Sequence, residues 1–504
     1  MSTIKRMVSN TFYIFLNSLS FTILSLIYFV IAGKLLTPSE YGIANSIIQF
    51  TTLIASFSML GLTNAILKLV SEYYATKKMK KLYGAVKYSF KILLLVNLIV
   101  AAIIFFISPA LAAYIFKNPN LTSTFEISSL IILVFSLASY FGSVVYGLGK
   151  VKVYFLTDFL ANFVKVVLAI PLIIFFKFGF WGPILGYLLG LVFSAFIRFT
   201  EIKLKDKGRP DTTTIWYYAF PALISTIGGA ILTATPVLIL SAFSSTTEAG
   251  IFTLVNALAS LLMFVPNILY TASFPIFSGM YGKKDHKGIE ELLNMVFRYT
   301  ILISVPLSLI FILFPSFLIR IVAKPAYLVG SNALSILGIV GLLYGIGNIL
   351  LNALYAIGKP KLSRNIMIGT LIIYLILSIP LSMLYGSVGM AITYLLAFLF
   401  LFSLSLFFTL KFYNLNINRN YIPKVLFSSL LWLLVLIVAT FLSDSIYVFM
   451  VTSLIGFFLY VFLLLALKAF SVNDLKMLRE FRKIFPKSFS FIFEFLEELI
   501  SRFL

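Results

Sequence analysis

Two stretches of this chain repeat one another: residues 146–152 read YGLGKVK and residues 355–361 read YAIGKPK. Further matches follow in the same order, each about 208 residues apart. They are Glu40 with Glu248, Gly42 with Gly250, Lys117 with Lys324, Pro171 with Pro380, Gly179 with Gly386, Gly182 with Gly389 and Tyr187 with Tyr394. Because the matched sequence is hydrophobic, the chain is predicted to contain two copies of one membrane unit, an organisation typical of transporters.

The composition is that of a membrane protein. Hydrophobic residues make up 61% of the chain and charged residues 11%, against about 45–50% and about 25% in soluble domains. The mean hydropathy is +1.06. Apolar runs of about 20 residues, long enough to cross a bilayer as helices, follow one another. Gly, Pro, Ser and Asn inside these runs favour helices over the alternating strands of a barrel, so the chain is predicted to be an all-α polytopic membrane protein.

The apolar runs predict fourteen transmembrane helices, in two six-helix repeats plus two extra C-terminal helices. The predicted spans are 10–33, 43–67, 85–108, 124–148, 155–177, 181–200, 214–241, 250–277, 292–319, 327–357, 363–385, 387–410, 422–443 and 446–469. The predicted domains are an N-terminal lobe (1–205), a C-terminal lobe that repeats it (206–415), two additional helices (416–470) and a cytoplasmic amphipathic tail (471–504). The first run is too long for a secretory signal peptide and no small-residue cleavage site follows it.

Basic residues are concentrated in every second loop. The loops that follow even-numbered spans carry most of them: Lys68, Lys77, Lys78, Lys80, Lys81, Lys150, Lys152, Lys203, Lys205, Lys207, Arg209, Lys283, Lys284, Lys287, Lys359, Lys361, Lys411 and Arg419. By the positive-inside rule, both termini are predicted to be cytoplasmic, in a multi-pass protein of the cell membrane. The net charge of +22 then reflects topology and contact with anionic membrane lipids. No contiguous basic domain is present, so nucleic acid is not a predicted partner.

Several kinds of chemistry have no residues to support them. The chain has no cysteine and one histidine, His286, so neither a disulfide nor a thiolate or histidine metal site is expected. The repeated dipeptides Gly149-Lys150 and Gly358-Lys359 are not part of a phosphate-binding loop of the Gly-x-x-x-x-Gly-Lys-Ser/Thr type. Clusters of His, Asp, Glu or Cys of the hydrolase kind are also missing from the sequence. The chain is therefore predicted to be neither an ATPase nor any other enzyme, and to use no cofactor and no metal.

The fifth span carries the charged residues of most interest. Asp158, Asn162 and Lys165 share one helix face. A charge near the middle of a span costs about 2.5–3.5 kcal/mol, so Lys165 is expected to face a watery cavity or a partner. The structural alternatives are a pair between Lys165 and Asp158, or a surface pair of Asp158 with Lys150 or Lys152.

Other polar residues extend the candidate cavity. They are Asn17 in span one, Asn45 and Gln49 in span two, Lys87 and Lys91 in span three, Asn256 in span eight and Arg298 in span nine. Amides in lipid also join helices, and lysines near a span end also extend to the interface, so both alternatives stay open. Gly182, Gly186 and Gly190 predict a close helix-packing face in span six.

Short motifs resemble those of a known family. Residues 36–42 (LTPSEYG) follow the first span, residues 60–62 (LGL) and 68–73 (KLVSEY) end the second, and the YGLGK step lies between spans four and five. The chain resembles the polysaccharide-type flippases of the multidrug, oligosaccharidyl-lipid and polysaccharide exporter superfamily over essentially its whole length. The resemblance implies two six-helix lobes around a central cavity, with cationic residues that face the lipid phosphate of a polyprenyl-linked sugar precursor.

The expected function is therefore alternating-access translocation of polyprenyl-(pyro)phosphate-linked oligosaccharide, for cell-surface polysaccharide or glycoprotein assembly. A polar cavity would replace the water that the sugar hydroxyls lose. The alternatives are a multidrug cation antiporter of the same fold, a lipid II-type flippase, and a non-transporting scaffold of a glycan-assembly complex. An antiporter would be expected to carry acids deep in spans one or seven, and these spans contain none. Glycosyltransferases or a polymerase are candidate partners.

Overall fold

The structure is a computed structural model that describes residue 20 and residues 23–202, 208–282, 284–356, 359–413 and 421–469. Throughout these residues the regular secondary structure is helical. The helices are α1 (Ile23–Leu35), α2 (Pro38–Ser58), α3 (Leu62–Ala75), α4 (Met79–Ile115), α5 (Thr122–Gly147), α6 (Val151–Ile174), α7 (Trp181–Glu201), α8 (Thr212–Phe243), α9 (Thr246–Gly282), α10 (His286–Leu313), α11 (Pro315–Val322), α12 (Ser331–Ala356), α13 (Pro360–Phe412), α14 (Tyr421–Leu442) and α15 (Ile446–Ala466). The predicted all-α class is confirmed.

The described helices include 11 that are long and apolar enough to cross a membrane, or up to 12 if the bent pair α2 and α3 is one span. The predicted number of fourteen is not confirmed by this count. Helix α13 has 53 residues, about 80 Å at 1.5 Å per residue, which exceeds two hydrocarbon cores of about 30 Å. Its Gly386 has non-helical backbone angles (φ 56°, ψ −131°) and lies between the predicted eleventh and twelfth spans.

The predicted second span, 43–67, is not one continuous helix. Helices α2 and α3 meet at an angle of 58°. Leu60 and Gly61 both have positive φ, 53° and 70°. This left-handed conformation cannot continue a right-handed helix, so it separates α2 from α3, and it is unfavourable for a residue with a side chain such as Leu60. Hydrophobicity continues across the break, so the run of apolar residues did not reveal it.

The described chain forms two compact units. The first consists of Met1–Leu254, Val322–Val329 and Ser378–Met390, and the second of Val255–Ile321, Gly330–Leu377 and Ala391–Leu504. The predicted domain boundaries near 205 and 415, and the predicted tail 471–504, lie outside the described residues. These domain limits therefore stay predictions.

In the first unit, polar side chains tie neighbouring helices together. The amide oxygen of Asn97 in α4 accepts hydrogen bonds from Ser58 (2.8 Å) and from Ser136 in α5 (2.7 Å). The hydroxyl of Tyr140, fully buried in α5, donates to the carbonyl of Val86 in α4 at 2.7 Å. Such bonds fix the positions of neighbouring helices in a membrane, where an apolar side chain gains little by leaving lipid for the protein interior.

In the second unit, the two helices without a repeat counterpart pack onto the bundle. Helix α14 contacts α10 and α15, and the Tyr460 hydroxyl of α15 donates to the Leu302 carbonyl of α10 at 2.6 Å. Gly456 lies against the Trp432 ring, so a side chain at this position would displace the indole. Helices α14 and α15 are thus built into this unit by specific contacts.

The orientation predicted from the basic loops is directly testable, because the chain has no cysteine to interfere. Asn118 and Lys78 are both exposed, in loops of opposite predicted side. We expect Asn118→Cys to react with a membrane-impermeant maleimide added to intact cells, and Lys78→Cys to react only after permeabilisation. Labelling of Lys78→Cys in intact cells would reverse the predicted orientation.

Candidate functional site

Lys165 lies in the middle part of a membrane helix. It is about 21 Å along α6 from Val151, in a helix about 36 Å long. Its ammonium group is 4.1 Å from the ring centroid of Tyr28 in α1 and 5.6 Å from that of Tyr187 in α7. We call these three residues the lysine–tyrosine cluster. Aromatic faces stabilise a cation, although less than a carboxylate would.

Two polar groups of this cluster lack a partner in the described part of the chain. Lys165 makes no ion pair or hydrogen bond with any described residue. The Tyr28 hydroxyl is buried, and no hydrogen-bond partner for it is found among those residues. An ammonium and a phenol can both donate to one anionic oxygen. The cluster therefore has the donors of an anion site, and no described carboxylate neutralises its ammonium.

Close packing of α6 on α7 brings the cluster together. Glycines of α7 make this approach possible: a Cβ at Gly186 would lie 2.8 Å from the Lys165 carbonyl oxygen, and one at Gly190 would lie 2.5 Å from that of Ala161. The glycine spacing predicted such a face. Its effect is to hold Tyr187 of α7 beside Lys165 of α6.

Asp158 belongs to a different cluster. It forms an ion pair with Arg198 of α7, whose side chain also donates to Thr157 Oγ1 and to the Ala138 carbonyl, both at 2.9 Å. The guanidinium carbon lies 4.9 Å from the Tyr154 ring centroid. Arg198 is thus satisfied on every side and joins α5, α6 and α7.

The pairs that the sequence suggested for Asp158 are wrong. Lys165 contacts aromatic rings instead, and Lys150 pairs with Glu201 at 2.8 Å. Sequence reasoning missed Arg198 because a charge near a span end is usually interfacial. A signal was available: Arg198 continues the series 182, 186, 190 and 194 at intervals of one helical turn, so it shares the glycine face that packs against α6.

The Asp158–Arg198 pair is expected to contribute to stability. Asp158→Ala should lower the free energy of unfolding by about 3 kcal/mol, because it leaves a buried guanidinium without its counter-charge. The two side chains are 28% and 5% exposed, against 39% for Glu201 and 37% for Lys150.

The matched control is Lys150→Ala, which breaks a more exposed pair and should cost no more than about 1 kcal/mol. Thermal unfolding of both variants in the same detergent measures the difference. Equal melting temperatures would show that the pair has no structural role.

The amides predicted to line a cavity bond partly to their own helices. Asn162 donates to the Asp158 carbonyl at 2.9 Å and Asn45 to the Tyr41 carbonyl at 3.2 Å. The side chain of Gln49 accepts a long hydrogen bond from Thr52 (3.4 Å). All three are partly exposed, so acceptor and donor groups of these amides stay available to a solute.

Two predicted site residues belong to the second unit. Arg298 of α10 stacks on Tyr421 of α14, with its guanidinium carbon 5.0 Å from the ring centroid. Asn256 of α9 is partly exposed. Asn17 lies outside the described residues. The role of each as a cavity residue stays a prediction.

Lys87 and Lys91 lie on an exposed stripe of α4. The stripe continues at intervals of three and four residues through Leu95 (61% exposed), Ile99 (52%), Ile103 (51%) and Phe106 (79%). A face of large apolar side chains is suited to lipid, not to sugar hydroxyls. This placement favours the interfacial alternative for the two lysines.

At the end of the first unit that is predicted to be external, α2 and α9 cross closely. Gly42 lies against the Thr246 carbonyl and Gly250 against the Pro38 carbonyl, and at neither glycine is there room for a Cβ. The hydroxyls of Ser39 and Thr246 are 3.0 Å apart. We call this contact the external crossing.

Repeat-related residues build the external crossing. Glu40 lies against Gly179, where a Cβ would come 2.5 Å from its carboxylate, and Glu248 lies against Gly386 in the same way, at 2.6 Å. Both glycines have positive φ, 52° and 56°. These pairs are the ones matched in the sequence repeat, so the two copies share a local structure at this position.

Lysine contacts extend the crossing. Lys324, the repeat counterpart of Lys117, donates its ammonium to the Leu35 carbonyl at 2.7 Å and its main-chain N–H to the Gly33 carbonyl at 2.9 Å. These bonds join the end of α1 to the loop after α11. The external crossing and these lysine bonds thus join α1, α2, α9 and the loop after α11 at this end of the first unit.

These features define a class: a multi-pass helical membrane transporter. The chain belongs to the polysaccharide biosynthesis protein family, whose model matches residues 7–281. The MatE family model matches residues 221–384. The predicted superfamily of multidrug, oligosaccharidyl-lipid and polysaccharide exporters is confirmed by both matches.

Two known proteins are similar to this chain in sequence. An uncharacterized membrane protein of Methanocaldococcus jannaschii is 22% identical over 463 residues, which are 87% of this chain and 90% of that protein. The probable low-salt glycan biosynthesis flippase Agl15 of Haloferax volcanii is 22% identical over 195 residues, 39% of this chain and 41% of that protein.

The fold has a solved counterpart. The lipid II flippase MurJ in its inward closed conformation has a TM-score of 0.71 and 18% identity, with 90% of this chain and 98% of MurJ covered. Flippases and transporters are not enzymes, in agreement with the prediction from the missing catalytic residues.

Proposed function

We propose that this protein flips an anionic polyprenyl-(pyro)phosphate-linked oligosaccharide across the cytoplasmic membrane by alternating access. The observation that carries the proposal is the lysine–tyrosine cluster, whose ammonium and Tyr28 hydroxyl find no hydrogen-bond acceptor among the described residues. The lipid phosphate is the group of such a cargo that would complete it.

The sugar would be held by neutral polar groups. Asn162 lies one turn from Lys165 on α6, and Asn45 and Gln49 are on α2. Amides of this kind replace water around hydroxyls without adding charge. The prenyl chain would stay in lipid, since no helix face needs to enclose it.

The family match and the Agl15 similarity support a glycan lipid as cargo. The likeness to MurJ fits the lipid II alternative equally well in fold. The MatE match fits a multidrug cation antiporter, but an unpaired lysine in the lobe would repel a cationic drug. Glycosyltransferases or a polymerase would make and use the cargo as partners.

The decisive experiment compares cargoes in liposomes that contain the purified protein. We expect a fluorescent polyprenyl-diphosphate oligosaccharide to become accessible to a membrane-impermeant quencher much faster than in protein-free liposomes. Lipid II with its peptide and an organic cation are the comparison cargoes. Faster movement of lipid II would favour the lipid II alternative, transport of the organic cation alone would favour the antiporter, and movement of none would favour the scaffold.

A further inference from the structure

A groove lies between α4, α5 and α7 in the first unit, away from the lysine–tyrosine cluster. Its volume is about 250 Å³. The lining residues are Tyr83, Val86, Lys87, Phe90, Tyr140, Phe141, Phe199 and Ile202. Lys87 is about 12 Å along α4 from Met79, and Ile202 follows directly after α7. The groove is therefore at the end of the unit that the basic loops predict to be cytoplasmic.

The groove opens toward the lipid side. Phe196 and Phe199 of α7 are 67% and 58% exposed, and the α4 stripe beside them is equally apolar. The floor is made of packed aromatic rings: the centroid of Phe141 is 5.7 Å from that of Phe90, which stacks on it, and 5.4 Å from that of Phe199, which is tilted against it. Such an apolar surface is suited in chemistry to a hydrocarbon chain.

Two lysines lie along one edge of this groove. Lys87 and Lys91 are exposed, and neither forms an ion pair or a hydrogen bond with a described residue. The nearest ring to the Lys87 ammonium is that of Tyr83, at 5.9 Å to the centroid. Two free cations one turn apart, beside an apolar groove, are complementary to a phosphate attached to an acyl chain.

We propose that this groove binds one anionic phospholipid of the inner leaflet, with the phosphate on Lys87 and Lys91 and an acyl chain along Phe141 and Phe199. The groove and the proposed cargo cluster share α7 but lie apart along it, since Phe199 is 12 residues, about 18 Å, from Tyr187. The bound lipid would add contacts between α4, α5 and α7 and stabilise the lobe by mass action.

Native mass spectrometry of the full chain tests the proposal. Delipidated protein is titrated with phosphatidylglycerol or phosphatidylcholine of identical acyl chains. We expect the wild type to bind the first phosphatidylglycerol at least threefold more tightly than phosphatidylcholine. The double variant Lys87→Gln, Lys91→Gln should lose this preference. Ile202→Trp, which narrows the groove without changing charge, should weaken both lipids.

Lys152→Gln is the matched control, because it removes an exposed lysine at the same predicted side on α6. Equal phosphatidylglycerol binding by the control and by the double variant would overturn the proposal, as would unchanged binding by a folded Ile202→Trp variant. Displacement of the bound phosphatidylglycerol by an equal amount of polyprenyl phosphate would also overturn it, since the groove would then belong to cargo. Failure of the cargo assay alone would leave this lipid titration unaffected.

Discussion

Lys165→Ala is expected to reduce flipping of the lipid-linked oligosaccharide by about 10- to 100-fold, because a charge-assisted hydrogen bond contributes about 1.5–3 kcal/mol. The loss should concern transport and not folding. No described carboxylate depends on Lys165, since Asp158 is paired with Arg198. Its removal therefore strands no counter-charge, and the melting temperature should stay close to that of the wild type.

Three companion variants separate charge from shape. Lys165→Arg keeps the charge and should retain part of the activity, whereas Lys165→Met keeps the length of the side chain and should behave like Lys165→Ala. Tyr28→Phe removes only the Tyr28 hydroxyl and should slow flipping by about tenfold, the effect of one hydrogen bond to a charged oxygen of about 1.5 kcal/mol. Initial rates in liposomes at equal protein content measure all of them.

Normal flipping by a well-folded Lys165→Ala variant would remove this residue from the proposed site. Equal losses in Lys165→Met and Lys165→Arg would point to packing between α6 and α7 as the cause. Lys152→Ala, an exposed lysine of the same helix, should leave the rate unchanged.

A covalent bond across the external crossing is expected to stop transport almost completely and reversibly. The hydroxyls of Ser39 and Thr246 are 3.0 Å apart, so the double variant Ser39→Cys, Thr246→Cys places two thiols within reach of one disulfide. Alternating access requires this end to open once in each cycle. Oxidation should therefore abolish flipping, and a reductant should restore it.

No other disulfide can form in these variants, because the chain has no cysteine of its own. Each single variant should flip normally with and without oxidant. Peptide mass spectrometry after proteolysis confirms the cross-link. Continued flipping by fully cross-linked protein would show that this contact is not a gate, and absence of any cross-link would contradict the crossing itself.

The glycines provide a second test of the external crossing. Gly42→Val or Gly250→Val should prevent α2 and α9 from approaching, since a Cβ at either position would overlap a main-chain carbonyl. These variants should flip poorly and show increased maleimide labelling of Ser39→Cys from outside. Gly229→Ala is a suitable control, because a Cβ there meets no atom within 4 Å.

The fold class could be predicted because its signals are local. A run of about 20 apolar residues favours a membrane helix wherever it occurs, and the repeat is visible as matched residues such as Gly179 and Gly386. The break within the second span escaped prediction, since Leu60 shows no preference for positive φ. The exact span count also depends on backbone angles, as at Gly386 in the middle of α13.

The candidate site was only partly predictable. The burial cost of Lys165 singled it out from the sequence, but its neighbours Tyr28 and Tyr187 lie on helices far away in the chain. Arg198 was missed, although its spacing from Gly190 places it on the packing face. Lys87 looked equally suited to cavity and interface until the exposed stripe on α4 was seen.

Composition and spacing alone thus determined the membrane class and the residues whose charge needs an explanation, and they predict the two copies and the orientation. Tertiary structure decided which charges are paired: Asp158 pairs with Arg198, and Lys165 pairs with no carboxylate in the part of the chain that the structure describes. The reason is physical. Hydrophobicity and helix periodicity act within a span, whereas ion pairs, aromatic contacts and glycine crossings depend on which helix faces meet, and those faces are brought together only by packing.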